Sequence, residues 1–394
     1  MQFMSQVAKK KALFLKGCNM ENFKPIKIAV MGFKSTHVMG MFNLIKESPY
    51  YEVVAISLDK ESKEKIEESY HDSNFFAKYP CYYSDEEIIK NHPDVELCIC
   101  GAENSEHFKQ YKLCAEHGVN VIMMKIPTLD MDEYDEMLRL EKKHGIKIYL
   151  ELEMRWFATV ERIKEIIESG ELGEITSITA YNYSHFPMWW LPWMNDPEKS
   201  YGKKVELYPN AERFRGGALT DHPHVFDVIR YITGSEFDSV YAEVAPNMRD
   251  EAVVEDLVYV IGRLKNGTLI SLDPSYANRE IKQLNLDYDR DRLSHYPKAV
   301  QVELSVCGTK GTIISDLYNP NTTEQLRFED FEYRVNSRFH EFLSPRVCFI
   351  ENVAKGLRDG NIEPFAPSLF SHKKTMQVIN ACYESIYTGE RVKL

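Results

Sequence analysis

The sequence lacks the features that mark several classes of protein. No apolar run approaches the length of a membrane-spanning helix, so we predict no membrane partner. The opening stretch has three lysines followed by only four apolar residues, which is too short for the core of a secretory signal. The eight cysteines show neither a disulfide framework nor the spacing of metal ligands. We therefore expect a cytoplasmic protein with reduced thiols and no metal.

An excess of basic charge is also missing. The chain has 48 basic and 60 acidic residues, a formal net charge of −12, which disfavours nucleic acid as a partner. Hydrophobic residues at 44% and charged residues at 27% are typical of a globular protein, and 394 residues predict two domains. We place the first domain at residues 26–150 and the second at 151–394. Residues 1–25 are either an arm or an extension upstream of a start at Met20.

The first domain alternates strand-like and helix-like segments. Each strand-like run is short and apolar, as in strands buried on both faces. Strands separated by single helices predict a doubly wound parallel sheet of the Rossmann type, whose ligands bind at the carboxyl ends of the strands. The predicted strands are residues 28–31, 52–57, 95–101, 120–125 and 147–152.

The second domain is predicted to be rich in antiparallel sheet, with helices on one face. The opposite face would then stay open, and such faces commonly pair with another subunit, so we expect a homodimer or homotetramer. The predicted strands are residues 175–183, 240–244, 257–264, 268–272, 300–306 and 312–315, with final helices at about 338–357 and 369–387.

A weak glycine fingerprint follows the first predicted strand. In a G-x-G-x-x-G frame, Gly32 fits the first position, whereas Lys34 and His37 occupy the second and third. The turn can still form, and amides at the helix start can still receive a pyrophosphate. The Lys34 side chain hinders close backbone approach, but its ammonium group can meet a phosphate. We predict cofactor contacts from this turn by Gly32, Phe33, Lys34 and His37.

The end of the second predicted strand bears on the choice of nicotinamide cofactor. Asp59 favours NAD, because a carboxylate here binds ribose hydroxyls, whereas Lys60 favours the 2′-phosphate of NADP. The choice between NAD and NADP stays open. Ser57, at the end of the same strand, is also predicted to contact the cofactor. Further residues predicted along this crevice follow later strands: Gly101, Ala102, Asn104 and Lys125.

Several short motifs, in the correct order along the chain, resemble those of the Gfo/Idh/MocA oxidoreductases. Residues 104–107 are similar to the family's P-N-x-x-H turn, and residues 124–127 to its E-K-P signature, with the lysine kept and the acid lost. Residues 155–157, 170–175 and 308–312 also match. The resemblance implies an NAD(P)-dependent dehydrogenase of a sugar, cyclitol or glycoside, and it adds His107 to the predicted cofactor site.

The predicted catalytic stretch departs from the family pattern. The family usually separates an aspartate and a histidine by four positions, whereas Asp221 and His224 are three apart here, with His222 as a second imidazole. Residues three apart still share a helix face. We predict His224 as base or proton relay, because imidazole titrates near neutrality. Which of the two histidines faces the substrate stays open.

Two more groups complete the predicted reaction. Asp221 would orient the imidazole or bind a neighbouring hydroxyl, and Lys125 would stabilise the developing alkoxide. The alternatives are a solvated lysine, a helix cap at Asp221 with surface histidines, and a zinc site.

An aromatic segment over residues 181–193 holds three of the four tryptophans. Indole faces stack on sugars, so Trp189, Trp190 and Trp193 are predicted to bind substrate, with a hydrophobic lid or a subunit contact as the alternative. Arg155 and Arg215 are also predicted substrate contacts, with an ordinary surface charge as the alternative for Arg215.

Two other functions compete with a dehydrogenase. One is glycoside cleavage in which bound NAD is recycled through a keto sugar. The other is a non-catalytic sensor of a dinucleotide or sugar, which the degenerate glycine and E-K-P motifs favour.

Overall fold

The chain forms two sheets in succession, as predicted. A computed structural model describes residues 23–34, 36–184, 191–277, 300–318, 321–328, 332–339, 345–360 and 366–394. Within these segments, no helix combines the length and the apolar content needed to cross a bilayer.

The first sheet is parallel throughout, and its order β3-β2-β1-β4-β5-β6 confirms the predicted doubly wound Rossmann topology. Its strands are β1 (Ile26–Met31), β2 (Tyr51–Ser57), β3 (Cys81–Tyr82), β4 (Leu97–Cys100), β5 (Asn120–Met123) and β6 (Ile148–Leu150). Its helices are α1 (Thr36–Ile45), α2 (Lys60–Ser69), α3 (Asp85–Asn91), α4 (Asn104–Glu116) and α5 (Met131–His144).

The apolar runs form the centre of this sheet. Every residue of β4 is buried, and so are five of the six residues of β1. These strands carry apolar side chains on both faces because helices cover both sides of a doubly wound sheet. The carboxyl ends of β1, β4 and β5 therefore share one edge.

The second sheet has nine strands in the order β14-β13-β12-β11-β7-β10-β9-β8-β15, and all neighbours are antiparallel except β7 and β10. Its strands are β7 (Ile175–Ser184), β8 (Phe237–Val244), β9 (Val258–Leu264), β10 (Leu269–Asp273), β11 (Val300–Gly308), β12 (Gly311–Asp316), β13 (Asn321–Phe328), β14 (Glu332–Phe339) and β15 (Val392–Lys393).

Helices pack on one face of the second sheet. Further helices of the chain are α6 (Ala158–Glu168), α7 (Pro197–Tyr201), α8 (Ala218–Asp221), α9 (Pro223–Thr233), α10 (Pro345–Asp359) and α11 (Leu369–Thr388). Large apolar side chains on the other face stay exposed, among them Tyr259 at 55%, Ile261 at 45% and Leu269 at 49%. The open face was predicted from the sequence.

The end of the chain differs from the prediction in two ways. Residues 332–339 form an unpredicted strand, β14, which overlaps the start of the helix predicted at about 338–357, and α10 begins only at Pro345. Helix α10 then packs on the first sheet: Val353 joins the core around Phe42, and Arg358 Nη1 lies 2.6 Å from Glu96 Oε2. One helix of the predicted second domain thus completes the first.

Candidate active site

Two glycines bring the turns after β1 and β4 together. Gly32 has φ +80°, and a Cβ atom there would lie 2.8 Å from the backbone nitrogen of Ala102. A Cβ atom on Gly101 would lie 2.5 Å from Val38 Cγ2. Lys34 N donates to Gly101 O at 3.0 Å. Close approach in this Rossmann turn thus depends on glycines from two strands, which a single-segment fingerprint does not detect.

The side chains of Phe33 and Lys60, two of the predicted cofactor contacts, do not line the polar cleft at the carboxyl ends of β1 and β2. The Phe33 ring is buried in the core, where it packs edge to face against Phe42 and Phe76 with centroids 5.4 and 5.3 Å apart. The Lys60 side chain is 78% exposed, and its Nζ lies 3.7 Å from Glu64 along α2. Only the Phe33 backbone belongs to the turn.

A polar cleft lies at the carboxyl ends of β1 and β2. Lys34 Nζ lies 2.6 Å from Asp59 Oδ2, and Asp59 Oδ1 caps α2 by accepting from Ser62 N at 2.8 Å. Burial would raise the pKa of Asp59, but these bonds outweigh it and hold that pKa well below its usual range. The cleft is lined by Gly32, Lys34, Ser57, Leu58, Asp59, Tyr83, Ser84, Asp85, Glu86, Ala102, Lys109, Gln110 and Leu113.

Asp85 at the floor of this cleft was missed by the sequence analysis. Its carboxylate accepts from Ser57 Oγ and, at 2.8 Å, from Gln110 Nε2. Burial raises the pKa of Asp85. Gln110 also accepts from Ala102 N at 3.3 Å and donates to Met31 O at 3.1 Å, so the hydrogen-bond network joins the ends of β1, β2 and β4. In sequence, Asp85 looks like an ordinary acidic residue at a helix start.

The side chains of Asn104 and His107 form hydrogen bonds with other residues of this chain. Asn104 Nδ2 donates to Ser200 O in the second domain at 3.1 Å. His107 is buried, with Nδ1 2.7 Å from Ile126 O and Nε2 3.1 Å from Ala102 O. Both ring nitrogens of His107 are therefore bonded to backbone carbonyl groups. These bonds, in place of the predicted cofactor contact, join the β4–α4 turn to the segment that carries Lys125.

Lys125 and Asp221 bring the two domains together. Lys125 follows β5, and its Nζ donates to the Asp221 carboxylate and, at 2.5 Å, to the Asp221 carbonyl oxygen. Burial would raise the pKa of Asp221, but Lys125 and His222 outweigh it and hold that pKa well below its usual range. The ion pair, with side chains 14% and 16% exposed, fixes the ammonium group at the strand's end.

The turn that carries Asp221 is held by a buried carboxylate, Glu255, which the sequence analysis also missed. Glu255 accepts from Gly217 N at 3.0 Å, Leu219 N at 3.2 Å and Tyr383 Oη at 2.7 Å. A Cβ atom on Gly217 would lie 1.9 Å from Glu255 O, so only glycine fits. Burial raises the pKa of Glu255 to about 7, although these hydrogen bonds lower it.

The two predicted catalytic imidazoles have different surroundings. His222 is held on both sides: its Nδ1 donates to Pro274 O at 2.7 Å, so its Nε2 accepts from Ser184 Oγ at 2.9 Å when neutral. His224 is also buried, but among the described residues its Nδ1 has no hydrogen-bond partner. Burial and the nearby Lys125 lower the pKa of His224 to about 3. His224 is thus the imidazole whose Nδ1 is not already bonded to another described residue.

The local helix geometry also differs from the prediction. Asp221 ends α8 and α9 begins at Pro223, so Asp221 and His224 do not share one continuous helix. The residue before α9 is His222, whose side chain makes no cap hydrogen bond, so the alternative of a cap at Asp221 was wrong. Instead of capping a helix, Asp221 binds Lys125.

An imidazole–carboxylate pair lies at the start of α1. His37 Nδ1 is 3.0 Å from Glu151 Oε1, and Glu151 is 1% exposed just after β6. Burial opposes ionisation, but His37 and Arg346 lower the pKa of Glu151 to about 2. His224 and Asp221 interact electrostatically with Glu151 and His37, respectively, which places the pair beside the Lys125 site.

Glu153 extends this cluster. In the segments described, His37, Glu151 and Glu153 form the one group of side chains whose ligand atoms could converge on a metal ion. Arg346 Nε lies 3.0 Å from Glu153 and 3.6 Å from Glu151, so a guanidinium group supplies positive charge at this place. That charge disfavours a cation. The absence of a metal stays a prediction.

The predicted substrate contacts lie in different places. Arg155 is buried and forms two hydrogen bonds with Asp227, from Nε at 2.6 Å and Nη2 at 2.7 Å, so its predicted role is replaced by a structural one. The Arg215 guanidinium lies over the Tyr383 ring at 5.6 Å. Trp193 Nε1 donates to the Lys34 carbonyl at 2.6 Å, so this indole contacts the dinucleotide turn. Trp189 and Trp190 lie outside the described residues.

Comparison with known families decides the relationship that the motifs suggested. Residues 26–152 match the model of an oxidoreductase family with an NAD-binding Rossmann fold, and residues 160–314 match the GFO/IDH/MocA C-terminal domain. The chain belongs to the Gfo/Idh/MocA family. The prediction from the short motifs is confirmed, and the protein is an NAD-binding oxidoreductase of this family.

Relatives within the Gfo/Idh/MocA family differ in their named reactions. The chain is 24% identical over 387 residues to myo-inositol 2-dehydrogenase of Thermotoga maritima, covering 94% of this chain and 98% of the relative. It is 28% identical over 196 residues to 2,7-anhydro-N-acetylneuraminate hydratase of Mediterraneibacter gnavus, covering 48% and 45%. An inositol dehydrogenase homologue from Azotobacter vinelandii, solved with NAD+, has the same fold, with TM-score 0.72, 14% identity and coverage of 96% and 100%.

The residues present fit the dinucleotide of this family. Gly32 and Gly101 leave no room for side chains where the turns meet, and α1 starts beside Lys34. Amide groups at such a helix start, together with a lysine, suit a pyrophosphate. The Lys34, Asp59 and Ser57 side chains line the cleft beside this turn, where an adenosine ribose would lie.

Proposed function

We propose that this oxidoreductase transfers a hydride between NAD and a hydroxyl-bearing carbon of a sugar, cyclitol or glycoside. The contact between Lys125 and Asp221 carries the proposal, because it puts an ammonium group and a carboxylate from two domains at the carboxyl end of β5. His224 lies in the same buried site. The relative named myo-inositol 2-dehydrogenase supports a polyol as substrate.

Each side chain has a distinct task in this reaction. NAD+ supplies the hydride acceptor when bound. Lys125 donates a hydrogen bond to the substrate oxygen and stabilises its developing negative charge, while Asp221 holds the ammonium group in place. His224 accepts the hydroxyl proton on its imidazole, which the lowered pKa keeps neutral at working pH.

The cleft favours NAD over NADP. Asp59 is held ionised beside Lys34, and its negative charge repels a 2′-phosphate. Lys34 is already paired with this carboxylate, and Lys60, the residue that favoured NADP, lies exposed beside Glu64. The ratio of NAD+ to NADP+ affinity tests this preference.

A second candidate is elimination or hydration at the carbon beside a transient ketone, with NAD recycled. The pair of His37 and Glu151 favours it, because that chemistry needs a second base after the alcohol is oxidised. The relative named as a hydratase supports the same reaction class. Glycoside cleavage with retained NAD belongs to this class.

A substrate panel separates these candidates. The protein is incubated with NAD+ and with myo-inositol, aldoses or aryl glycosides, and both NADH and substrate loss are measured. NADH formation that is abolished in Lys125→Met and kept in Lys60→Met supports the dehydrogenase. Substrate loss without NADH supports recycling. Ligand binding with no turnover, unchanged in Lys125→Met and His224→Gln, supports a sensor and contradicts the proposal.

We further propose that a second copy covers the open face of the second sheet. Three exposed apolar side chains on neighbouring strands support this, namely Tyr259, Ile261 and Leu269. Light scattering tests it: a dimer or tetramer is expected, and a monomer would contradict it. The cytoplasmic location stays a prediction.

A further inference from the structure

The segment of residues 191–202, here called the bridging segment, connects the second domain to both dinucleotide turns. Trp193 Nε1 donates to the carbonyl oxygen of Lys34, at 2.6 Å, in the turn after β1. Asn104, at the start of α4, donates from Nδ2 to the carbonyl oxygen of Ser200 at 3.1 Å. The two contacts join opposite ends of the bridging segment to neighbouring turns of the first domain.

The bridging segment is firmly anchored in the second domain. The Asn195 amide donates to Glu251 O at 3.0 Å and accepts from Val253 N at 2.9 Å. Asp196 caps α7 by accepting from Glu198 N at 3.0 Å. The Asn195 bonds hold the bridging segment against the connection between β8 and β9, and the cap bond fixes the start of the helix that carries Ser200.

The same segment packs against the turn that leads to Asp221. A Cβ atom on Gly216 would lie 2.4 Å from Ser200 Oγ, and the Tyr201 ring packs edge to face on Tyr383 at 5.5 Å. The Tyr383 hydroxyl accepts from Gly216 N at 3.0 Å. The bridging segment is therefore in contact with both the dinucleotide turns and the candidate catalytic turn.

We propose that Trp193 and Asn104 close the second domain over the pyrophosphate position and slow the release of the nucleotide. The pyrophosphate of a Rossmann cofactor lies at the turn after the first strand, where Trp193 is bonded. A nucleotide beneath the bridging segment leaves only when the domains separate and both hydrogen bonds break. Trp193 is thus a positioning residue of the cofactor site, in place of its predicted contact with substrate. The proposal rests on NAD binding and requires no substrate.

Release of NADH from the full-length protein tests this closure. NADH-loaded protein is mixed with excess NAD+, and the loss of bound-NADH fluorescence gives the dissociation rate constant. Trp193→Phe and Asn104→Ala each remove one hydrogen bond, so each is expected to speed release several-fold, up to about tenfold. The double variant should be faster than either single variant.

The matched control is Lys203→Gln. Lys203 Nζ lies 2.6 Å from Asp130 Oδ2, so this exposed ion pair also joins the domains, but it lies outside the dinucleotide turns. Its removal should change the release rate less than twofold. Thermal unfolding without nucleotide is measured on each variant, and Asn104→Ala decides the test if Trp193→Phe does not fold.

The outcomes are distinct. Equal release rates in the wild type and both variants would overturn the proposal, as would an equal acceleration by Lys203→Gln. A protein that binds no NADH contradicts both this closure and the proposed function. A substrate panel without turnover, combined with accelerated release in the variants, contradicts the proposed function and leaves the closure supported.

Discussion

The polar cleft around Asp59 and the site around Lys125 differ in how they are built. In the proposed reaction the first is the adenosine end and the second is the reactive end. At the adenosine end, Lys34 and Asp59 come from one domain, and their side chains are 32% and 46% exposed. At the reactive end, Lys125 and Asp221 come from two domains and are only 14% and 16% exposed. A similar ion pair is therefore screened by water at one end and is largely protected from it at the other.

This difference separates recognition from chemistry. A solvated carboxylate near a ribose discriminates between cofactors by charge but contributes modestly to affinity. A buried ammonium group acts on a developing alkoxide in a weakly screened environment, so its removal has a larger effect. Variants at the reactive end should mainly change the rate of hydride transfer, and variants at the adenosine end should mainly change cofactor binding.

The largest effect is expected for Lys125→Met. This change removes the donor to the substrate oxygen and leaves Asp221 unpaired, so kcat should fall about 10³-fold. NADH affinity should change much less than kcat, because Lys125 does not line the polar cleft where the adenosine part would bind. Stopped-flow hydride transfer and NADH titration measure the two quantities. A large loss of NADH affinity with unchanged kcat would reverse the assignment of the two ends.

His224→Gln should have the next largest effect. The change removes the proton acceptor, and kcat should fall by about 10². His222→Gln should mainly lower thermal stability, because His222 is bonded to Pro274 and Ser184. The comparison of kcat and unfolding temperature in the two variants checks this. A greater loss of kcat in His222→Gln would make His222 the reacting imidazole.

Glu255→Gln should change how stability depends on pH. The folded-state pKa of Glu255 is raised to about 7 from 4.5 by burial, so its contribution is fully present below pH 4.5 and is lost as pH rises through 7. Between these values the wild type should lose roughly 2–3 kcal/mol of unfolding free energy relative to Glu255→Gln. Denaturant unfolding of the wild type and Glu255→Gln at several pH values measures this difference. If the unfolding free energies of the two proteins depend on pH in the same way, the raised pKa of Glu255 is contradicted.

The smallest effect is expected for Asp59→Asn at the adenosine end. Asparagine still caps α2, so the change removes the charge and keeps the helix start. The ratio of NAD+ to NADP+ affinity should fall about tenfold, because the carboxylate no longer repels a 2′-phosphate. Titrations with both cofactors measure this, with Lys60→Gln as the unchanged control. An unaltered ratio in Asp59→Asn would locate the discrimination elsewhere.

The fold was largely predictable because apolar runs and turn glycines are local signals. The runs that became β1, β2, β4, β5 and β6 each carry enough apolar residues to be recognised alone. The two-residue strand β3 is too short to carry a pattern. The strands β13 and β14 have a polar composition, and neither was predicted; only residues 338–339 of β14 fell within a predicted helix. The packing of α10 against the first domain depends on tertiary contacts, which the hydrophobic periodicity of the sequence does not reveal.

The candidate site was predictable only in part. Lys125 and Asp221 follow recognisable elements and belong to family-like motifs, so both could be proposed from the sequence, and the structure brings them into contact. Glu151 and Glu255 look like ordinary charged residues in sequence, and their burial depends on tertiary contacts with residues far away along the chain. The reverse error occurred at Arg155, whose partner Asp227 is far away along the chain.

The central claim is that the nicotinamide lies between side chains supplied by the two domains. A crystal structure of the NADH-loaded protein tests it most directly. The account predicts the nicotinamide ring against the site formed by Lys125, Asp221 and His224, with room for a substrate oxygen within about 3–3.5 Å of the reacting groups. A nicotinamide ring bound away from Lys125, with the ion pair to Asp221 unchanged and remote from it, would contradict the account.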